Sequence, residues 1–203
     1  MKTTTFTNTE KKAIKINKIY LLLFIICLPL FTLAQLTYVP DDNFEDYLES
    51  HSMGNGIAND DYVLTSNINT VTYLSLNNEN ISDLTGIEDF TSLQTLMCSN
   101  NPITSLDLSQ NIALTDLFLH ANQLSSLDIS QNPALTTLHC AENLLTSLDL
   151  RNGNNISMDS NFYCYDNPNL TCINVDDSAW STTNWTVANQ NIDPQHYFSE
   201  NCP

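Results

Sequence analysis

Two histidines, His120 and His139, sit close in sequence to Asp116, Glu142 and Asp166. Imidazoles and carboxylates together offer metal-ligand chemistry. On neighbouring strands, however, a diagonal pair lies ~7–8 Å apart, and no tight ligand spacing accompanies it. The simpler reading is two exposed histidines and no metal site. A second acidic set, Asp107, Asp128 and Asp149, recurs every 21 residues and continues in Asn174. Stacked strands would bring these carboxylates ~5 Å apart, where each pair repels by about 0.8 kcal/mol at the dielectric of water. Such a column needs backbone hydrogen bonds, raised pKa values or bound Ca²⁺. The three aspartates are therefore weak metal candidates, and Ca²⁺ is the one possible cofactor. Catalytic chemistry has no comparable foothold. There is no G-x-S-x-G, H-E-x-x-H or C-x-x-C motif, and four glycines in the whole chain leave little for a phosphate cradle.

The elements that must position these residues follow from one repeated unit. Copies begin at Leu93, Leu114 and Leu135, each reading L-x-x-L-x-(L/C)-x-x-N-x-(L/I)-x-x-L-D-(L/I). A fixed short period means a stacked supersecondary unit. In L-x-x-L-x-(L/C) the apolar residues alternate with polar ones, as in a strand buried on one face. Asn101, Asn122, Asn143 and Asn167 follow three positions later, where a buried amide can satisfy backbone groups at a turn. A second short alternation then places Leu106 and Leu108 inward and Asp107 outward. A further copy lies upstream at Val71–Ser92 and another downstream around Phe162–Val175. The prediction is an α/β-type solenoid with parallel strands, about five coils of 21–22 residues and few or no helices in the repeats.

The ends follow a different logic. Five lysines precede an uncharged run from Ile19 to Ala34, which closes on Thr32-Leu33-Ala34. That pattern is a signal peptide, expected to be cleaved after Ala34. The run is interrupted by Pro29 and is short of the ~20 residues needed to span a bilayer. Beyond it the chain keeps one basic residue, Arg151, against 22 acids, a net charge of −21. Nucleic acid is excluded as a partner, since phosphate binding needs Lys and Arg, and anionic membrane surfaces are excluded likewise. The charge fits solubility in a salty exterior; an affinity for divalent cations or basic partners is the sharper alternative.

Five cysteines remain after cleavage. Cys98, Cys140 and Cys164 fall in the inward column that holds Leu76 and Leu119, and read as core residues. A Cys140–Cys164 bridge between adjacent coils is the less favoured option. Cys172 and Cys202 flank the last 30 residues, and an exported chain favours a disulfide between them. Both ends of the stack need covers. Upstream, a helix is expected within Val39–Met53, with Asp41 and Asp42 early in it and Phe44, Tyr47 and Leu48 on one face. GNGIANDD reads as a linker turn after it rather than a calcium loop, because the EF-hand spacing ending in Glu is absent. Downstream, Trp180, Trp185, Tyr197 and Phe198 supply apolar surface. The expected division is 1–34 signal peptide, 35–70 N-terminal cap, 71–175 repeats and 176–203 C-terminal cap.

On PDDNFEDYLE, NISDLTGIEDFTSL, the CSNNPITSLDLSQN units and TCINVDDSAW with FSENC, the chain resembles secreted or cell-surface bacterial leucine-rich repeat proteins. The resemblance runs from Val39 to Cys202 and speaks to fold far more than to function. It implies that the repeated aspartate belongs to the repeat consensus and bonds backbone. Relatives often end in a sorting domain for type IX secretion, whereas here Pro203 follows the cap directly. The signal peptide makes export the expectation, with extracellular, cell-surface and periplasmic destinations and a truncated reading frame all open, and a monomer as the expected state.

Leucine-rich repeat folds bind on their concave strand face. Repeat phase places a central outward column there: Ser75, Met97, Phe118, His139 and Tyr163. Four of the five are large, where small polar residues would be safe; contiguous exposed apolar surface marks interaction sites. The alternative is that they merely pack along the ladder. The expected ligand-binding set is Met97, Phe118, His120, His139, Tyr163 and Tyr165. The function expected is non-catalytic recognition of a protein or surface glycan. The alternative is an acidic structural or adhesive surface protein stabilised by calcium.

Overall fold

The computed structural model describes residues 34–203, so the expected signal segment lies outside the described residues but for Ala34. Each repeat begins with a three-residue strand whose central leucine is buried and whose flanking residues face outward. These strands are β3 (Tyr73–Ser75), β4 (Thr95–Met97), β5 (Asp116–Phe118), β7 (Thr137–His139) and the two-residue β9 (Phe162–Tyr163). They pair in parallel in the order β3-β4-β5-β7-β9, one strand per coil. The second alternation forms its own parallel sheet from β6 (Ser126–Asp128), β8 (Ser147–Asp149), β10 (Cys172–Asn174) and β11 (Tyr197–Ser199). Between the two sheets runs one continuous core of leucines from every coil, including the fully buried Leu96, Leu117 and Leu138. No coil closes this core alone, which is why stability requires the stack. The parallel-stranded solenoid expected from the period is therefore the fold, and its repeats carry few helical residues.

The asparagine column holds adjacent coils in register. Asn122 Nδ2 donates to the Cys98 carbonyl of the preceding coil at 3.0 Å and to its own Leu119 carbonyl at 2.9 Å. Its Oδ1 accepts the Ile103 N–H. Asn101, Asn143 and Asn167 repeat this arrangement through the same atoms. A second column runs through Asn111, Asn132 and Asn152, whose Nδ2 atoms donate to Ile87, Leu108 and Asn132 carbonyls. Buried backbone carbonyls thus find partners where the coil turns twice.

The N-terminal cover differs from expectation in two respects. The helix α1 spans Asp42–Ser50, and Asp41 precedes it in extended conformation as the N-cap. The Asp41 carboxylate accepts N–H bonds from Asn43 and Phe44, and its second oxygen takes Ser82 N–H, Ser82 Oγ and Asp83 N–H. Burial pushes its pKa up, but these donors outweigh burial and hold it below the ordinary value. One aspartate thereby caps the helix and ties it to the first coil. The second difference is an antiparallel pair, β1 (Leu36–Tyr38) with β2 (Tyr62–Leu64), which escapes sequence reading because each strand has only three residues. A one-turn helix, α2 (Thr65–Ile68), leads from β2 into the repeats. The GNGIANDD loop is a turn held by side chains, with Glu45 accepting the Asp60 and Asp61 N–H groups.

At the other end, α3 (Asn155–Met158) fills the longer last connection. The helix α4 (Ser178–Asn184) is capped by Asp177, which accepts the Trp180 N–H at 2.8 Å. Trp185 is fully buried, with its ring centroid 4.4 Å from Phe162, 5.4 Å from Trp180 and 5.7 Å from Phe198. Tyr197, expected to join this cover, is instead half exposed, because strand alternation in β11 turns it opposite to Phe198. Cys172 and Cys202 form the expected disulfide, while Cys98, Cys140 and Cys164 are free and buried.

Candidate functional site

The exposed face of the five-stranded sheet is built by register. Leu74, Leu96, Leu117, Leu138 and Phe162 pair with one another and point into the core. The next position along each strand must then point outward. That position is Ser75, Met97, Phe118, His139 and Tyr163, in direct lateral register from coil to coil. The rings interlock edge to face: Phe118 and His139 centroids lie 4.8 Å apart at 70°, and His139 and Tyr163 lie 4.6 Å apart at 74°. This geometry matches the attraction between ring edges and faces. The Tyr73 hydroxyl donates to Met97 Sδ at 3.2 Å and closes the stripe at its upper end.

A second column, two residues further on, shapes the surface. It runs Ser99, His120, Ala141 and Tyr165, small and large in alternation. Together with Met97, Phe118, His139 and Tyr163 these residues line a hollow of about 320 Å³. Ser99 and Ala141 are nearly buried and provide its floor, while His120 and Tyr165 stand as walls. Phase alone places both small residues on this face; their role as floor depends on the large neighbours either side. Just beyond, the chain turns a corner through left-handed backbone at Asn78, Asn100, Ala121, Glu142 and Asp166. Asparagine and aspartate adopt that conformation readily, whereas Ala121 and Glu142 do so against their preference.

All six residues of the expected binding set line this hollow. His120 Nδ1 lies 3.5 Å from Glu142 Oε1. Burial lowers the His139 pKa, and the nearby His120 lowers it further, so its imidazole is held neutral between two aromatic rings. The neutral ring gives an apolar, polarisable surface rather than a fixed charge. Asp116 is taken by its neighbour, accepting the Thr115 hydroxyl at 2.7 Å.

The aspartate column answers its own repulsion with backbone. Asp107, Asp128 and Asp149 each accept the N–H two residues on, from Ser109, Ser130 and Arg151, at 2.9, 2.8 and 3.1 Å. Asp149 also pairs with the Arg151 guanidinium, which is the main cause of its lowered pKa. The backbone N–H of Ser109, then its hydroxyl, lower that of Asp107. Asp128 and Asp149 are in direct register, but Ser105–Asp107 pairs with no strand, so the column is broken after its first member. Among the described residues the one group of three ligand-type side chains with oxygens within 4.8 Å is elsewhere: Asp42, Glu45 and Asp61. The oxygens of Glu45 there already accept two backbone N–H groups. That grouping was not legible beforehand, since it joins a helix to a loop over a gap in sequence.

No family model matches the chain. It is 39% identical over 74 residues to internalin J of Listeria monocytogenes serotype 4b, a stretch covering 36% of this chain and 8% of that protein. Among solved structures it is similar to the functional domain of InlJ from Listeria monocytogenes, described as including a cysteine ladder. That likeness has 32% identity and a TM-score of 0.43, over 69% of this chain and 33% of that one. An internalin, inlF, from the same organism is 22% identical with a TM-score of 0.48, over 71% of this chain and 47% of that one. The chain thus spans under half the length of each of these three relatives.

Proposed function

We propose that this chain, a leucine-rich repeat protein similar in its repeats to the internalins, is an exported, non-catalytic recognition module. Its ligand, a protein or a surface glycan, binds on the open face of the five-stranded sheet. The observation that carries this reading is the stripe of Met97, Phe118, His139 and Tyr163, in lateral register and bordering one hollow. Edge-to-face packing along the ladder occupies the edges of these rings but leaves them half exposed, and aromatic side chains are over-represented among binding hot spots. Export is supported by the basic and apolar pattern of the first 34 residues and by the disulfide. Among the described residues no helix is long and apolar enough to cross a membrane.

The test is paired substitution. Phe118→Ser and Tyr163→Ser each remove a half-exposed ring packed on His139 and are expected to cost about 1–2 kcal/mol apiece, leaving the leucine core intact. Affinity for a partner isolated from the cell exterior should fall at least tenfold, as expected for hot-spot side chains. A folded double variant that binds as tightly as the parent removes the proposal.

A further inference from the structure

Tyr165, a wall of the hollow on the sheet face, also lines a second hollow of about 240 Å³, whose other walls include Asp166, Asp193, Val187, Ile192 and Pro194 of the C-terminal cover. Two neighbouring hollows thus share Tyr165 as a wall and differ in chemistry: aromatic and thioether surface over the strands on one side, carboxylates beside aliphatic side chains on the other. Asp193 is held in place by the Asp166 and Asn167 N–H groups, each at 3.0 Å, and the Asp166 side chain is exposed. Glu142 adds a third carboxylate beside His120. Asp193 also lies 3.6 Å from His196 Nε2 and accepts from Gln195, so of the three Asp166 is the carboxylate with no histidine beside it, and no Lys or Arg of the described residues pairs with any of them. Arg151, the one basic residue beyond position 34, is engaged with Asp149 and the Glu200 carbonyl by the other sheet.

We infer that the two hollows together accept an extended segment of a basic partner protein. An aromatic or aliphatic anchor occupies the hollow between Met97 and Tyr163, and an adjoining Lys or Arg lies against Tyr165, Asp166 and Asp193. This rests on the recognition role proposed for the same face and names the partner's chemistry. Charge complementarity carries it: a surface of net charge −21 steers cationic partners toward itself and repels anionic ones. An aromatic face beside carboxylates is also a favourable seat for a guanidinium or ammonium group. The edge-to-face order of Phe118, His139 and Tyr163 argues against a flat stacking platform for sugar rings.

The experiment titrates the protein with three fluorescent peptides that differ only in a central triplet: Trp-Arg-Lys, Ala-Arg-Lys and Trp-Glu-Glu. A neutral oligosaccharide, cellohexaose, serves as a fourth probe. The Trp-Arg-Lys peptide is expected to bind about tenfold more tightly than either counterpart, the ratio corresponding to about 1.4 kcal/mol. Its affinity should weaken as salt rises. Asp166→Asn keeps the left-handed backbone and should weaken binding several-fold, as should Tyr165→Ser, whereas Asp128→Asn on the other sheet should not. Equal binding of Trp-Arg-Lys and Ala-Arg-Lys, with Asp128→Asn as damaging as Asp166→Asn, reduces the effect to diffuse attraction and overturns the inference. Binding of cellohexaose without binding of any peptide overturns it also, yet leaves the face a recognition surface. If Phe118→Ser abolishes that glycan binding, only the basic-partner inference has failed; if it changes nothing, both readings fail.

Discussion

Asn122 satisfies three backbone groups in two coils, at Cys98, Leu119 and Ile103. Replacing it with Ala would leave the buried Ile103 N–H without a partner, at a cost of about 1–3 kcal/mol, while the Cys98 and Leu119 carbonyls keep one donor each, from Asn101 and Asn143. Asn122→Ala should therefore lose about 1–3 kcal/mol in urea unfolding; a loss under about 0.5 kcal/mol would mean that the column is replaceable. Ala121, its neighbour, poses the opposite case. It holds φ of 56°, a conformation adopted at equivalent corners by Asn78 and Asn100. Ala121→Asn should raise stability by about 0.5–1 kcal/mol by relieving part of the left-handed cost. His139 and His196 both have pKa values lowered chiefly by burial. Unfolding raises them toward about 6.5, so the unfolded chain takes up protons first as pH falls. Their contribution is full above that value and is lost on acidification toward the folded pKa values. His139→Gln should accordingly lose less stability than the parent between about pH 7 and pH 5.5, a comparison that cancels the changing repulsion of the whole chain. Equal losses in the two proteins would show that His139 titrates normally. Much of this scale was legible in advance: the asparagine, aspartate and outward columns follow from phase alone. Asn111 and Asn132 recur at the same period, but their burial and their carbonyl partners in the preceding coil are visible only in the structure.

At the scale of elements, the first sheet is regular in every coil while the second begins only at β6. Ser105–Asp107 has the same S-L-D sequence as its successors β6 and β8, yet forms no ladder, and Leu106 is only partly buried. Local sequence cannot reveal this, since pairing depends on the preceding coil, where NISDLTGIEDF takes a 3₁₀ turn at Ile87–Asp89 instead of a strand. The covers show the same limit. The spacing of Phe44 and Leu48 announces α1, but β1, β2 and β11 are three-residue strands defined by partners distant in sequence. At the C-terminal end the Cys172–Cys202 disulfide ties β10 to the residues just after β11 across 30 positions. Loop-closure entropy for a ring of that size suggests about 3–4 kcal/mol of stabilisation. The double variant Cys172→Ser, Cys202→Ser should unfold at correspondingly lower urea and expose Trp185, which reports through its fluorescence. An unchanged midpoint would mean that packing of Trp185 against Phe162 and Phe198 holds the cover without it.

From position 35 onward, where the net charge is −21, the described chain is a stack whose solvent-facing surface is almost free of cations, with one aromatic stripe running along it. Self-repulsion at a net charge of −21 should make stability rise from low to physiological salt as the Debye length shortens to about 8 Å. Because backbone N–H groups already compensate Asp107, Asp128 and Asp149, melting curves with calcium and with chelator should superimpose at matched ionic strength; a rise of several degrees with calcium would place a cation in the fold. The stack was legible from the 21-residue period, and so was the stripe. The hollow was not, since it depends on Ser99 and Ala141 lying low between His120 and Tyr165. Filling it with Ala141→Leu should block binding while sparing the fold. The most direct test of recognition on this face uses the photo-crosslinking residue p-benzoylphenylalanine, placed at Phe118 or, on the other face, at Gln110. After exposure to the partner-bearing cell exterior, the account predicts one discrete cross-linked species from position 118 and none from position 110. The same species from both positions, or from 110 alone, would contradict it.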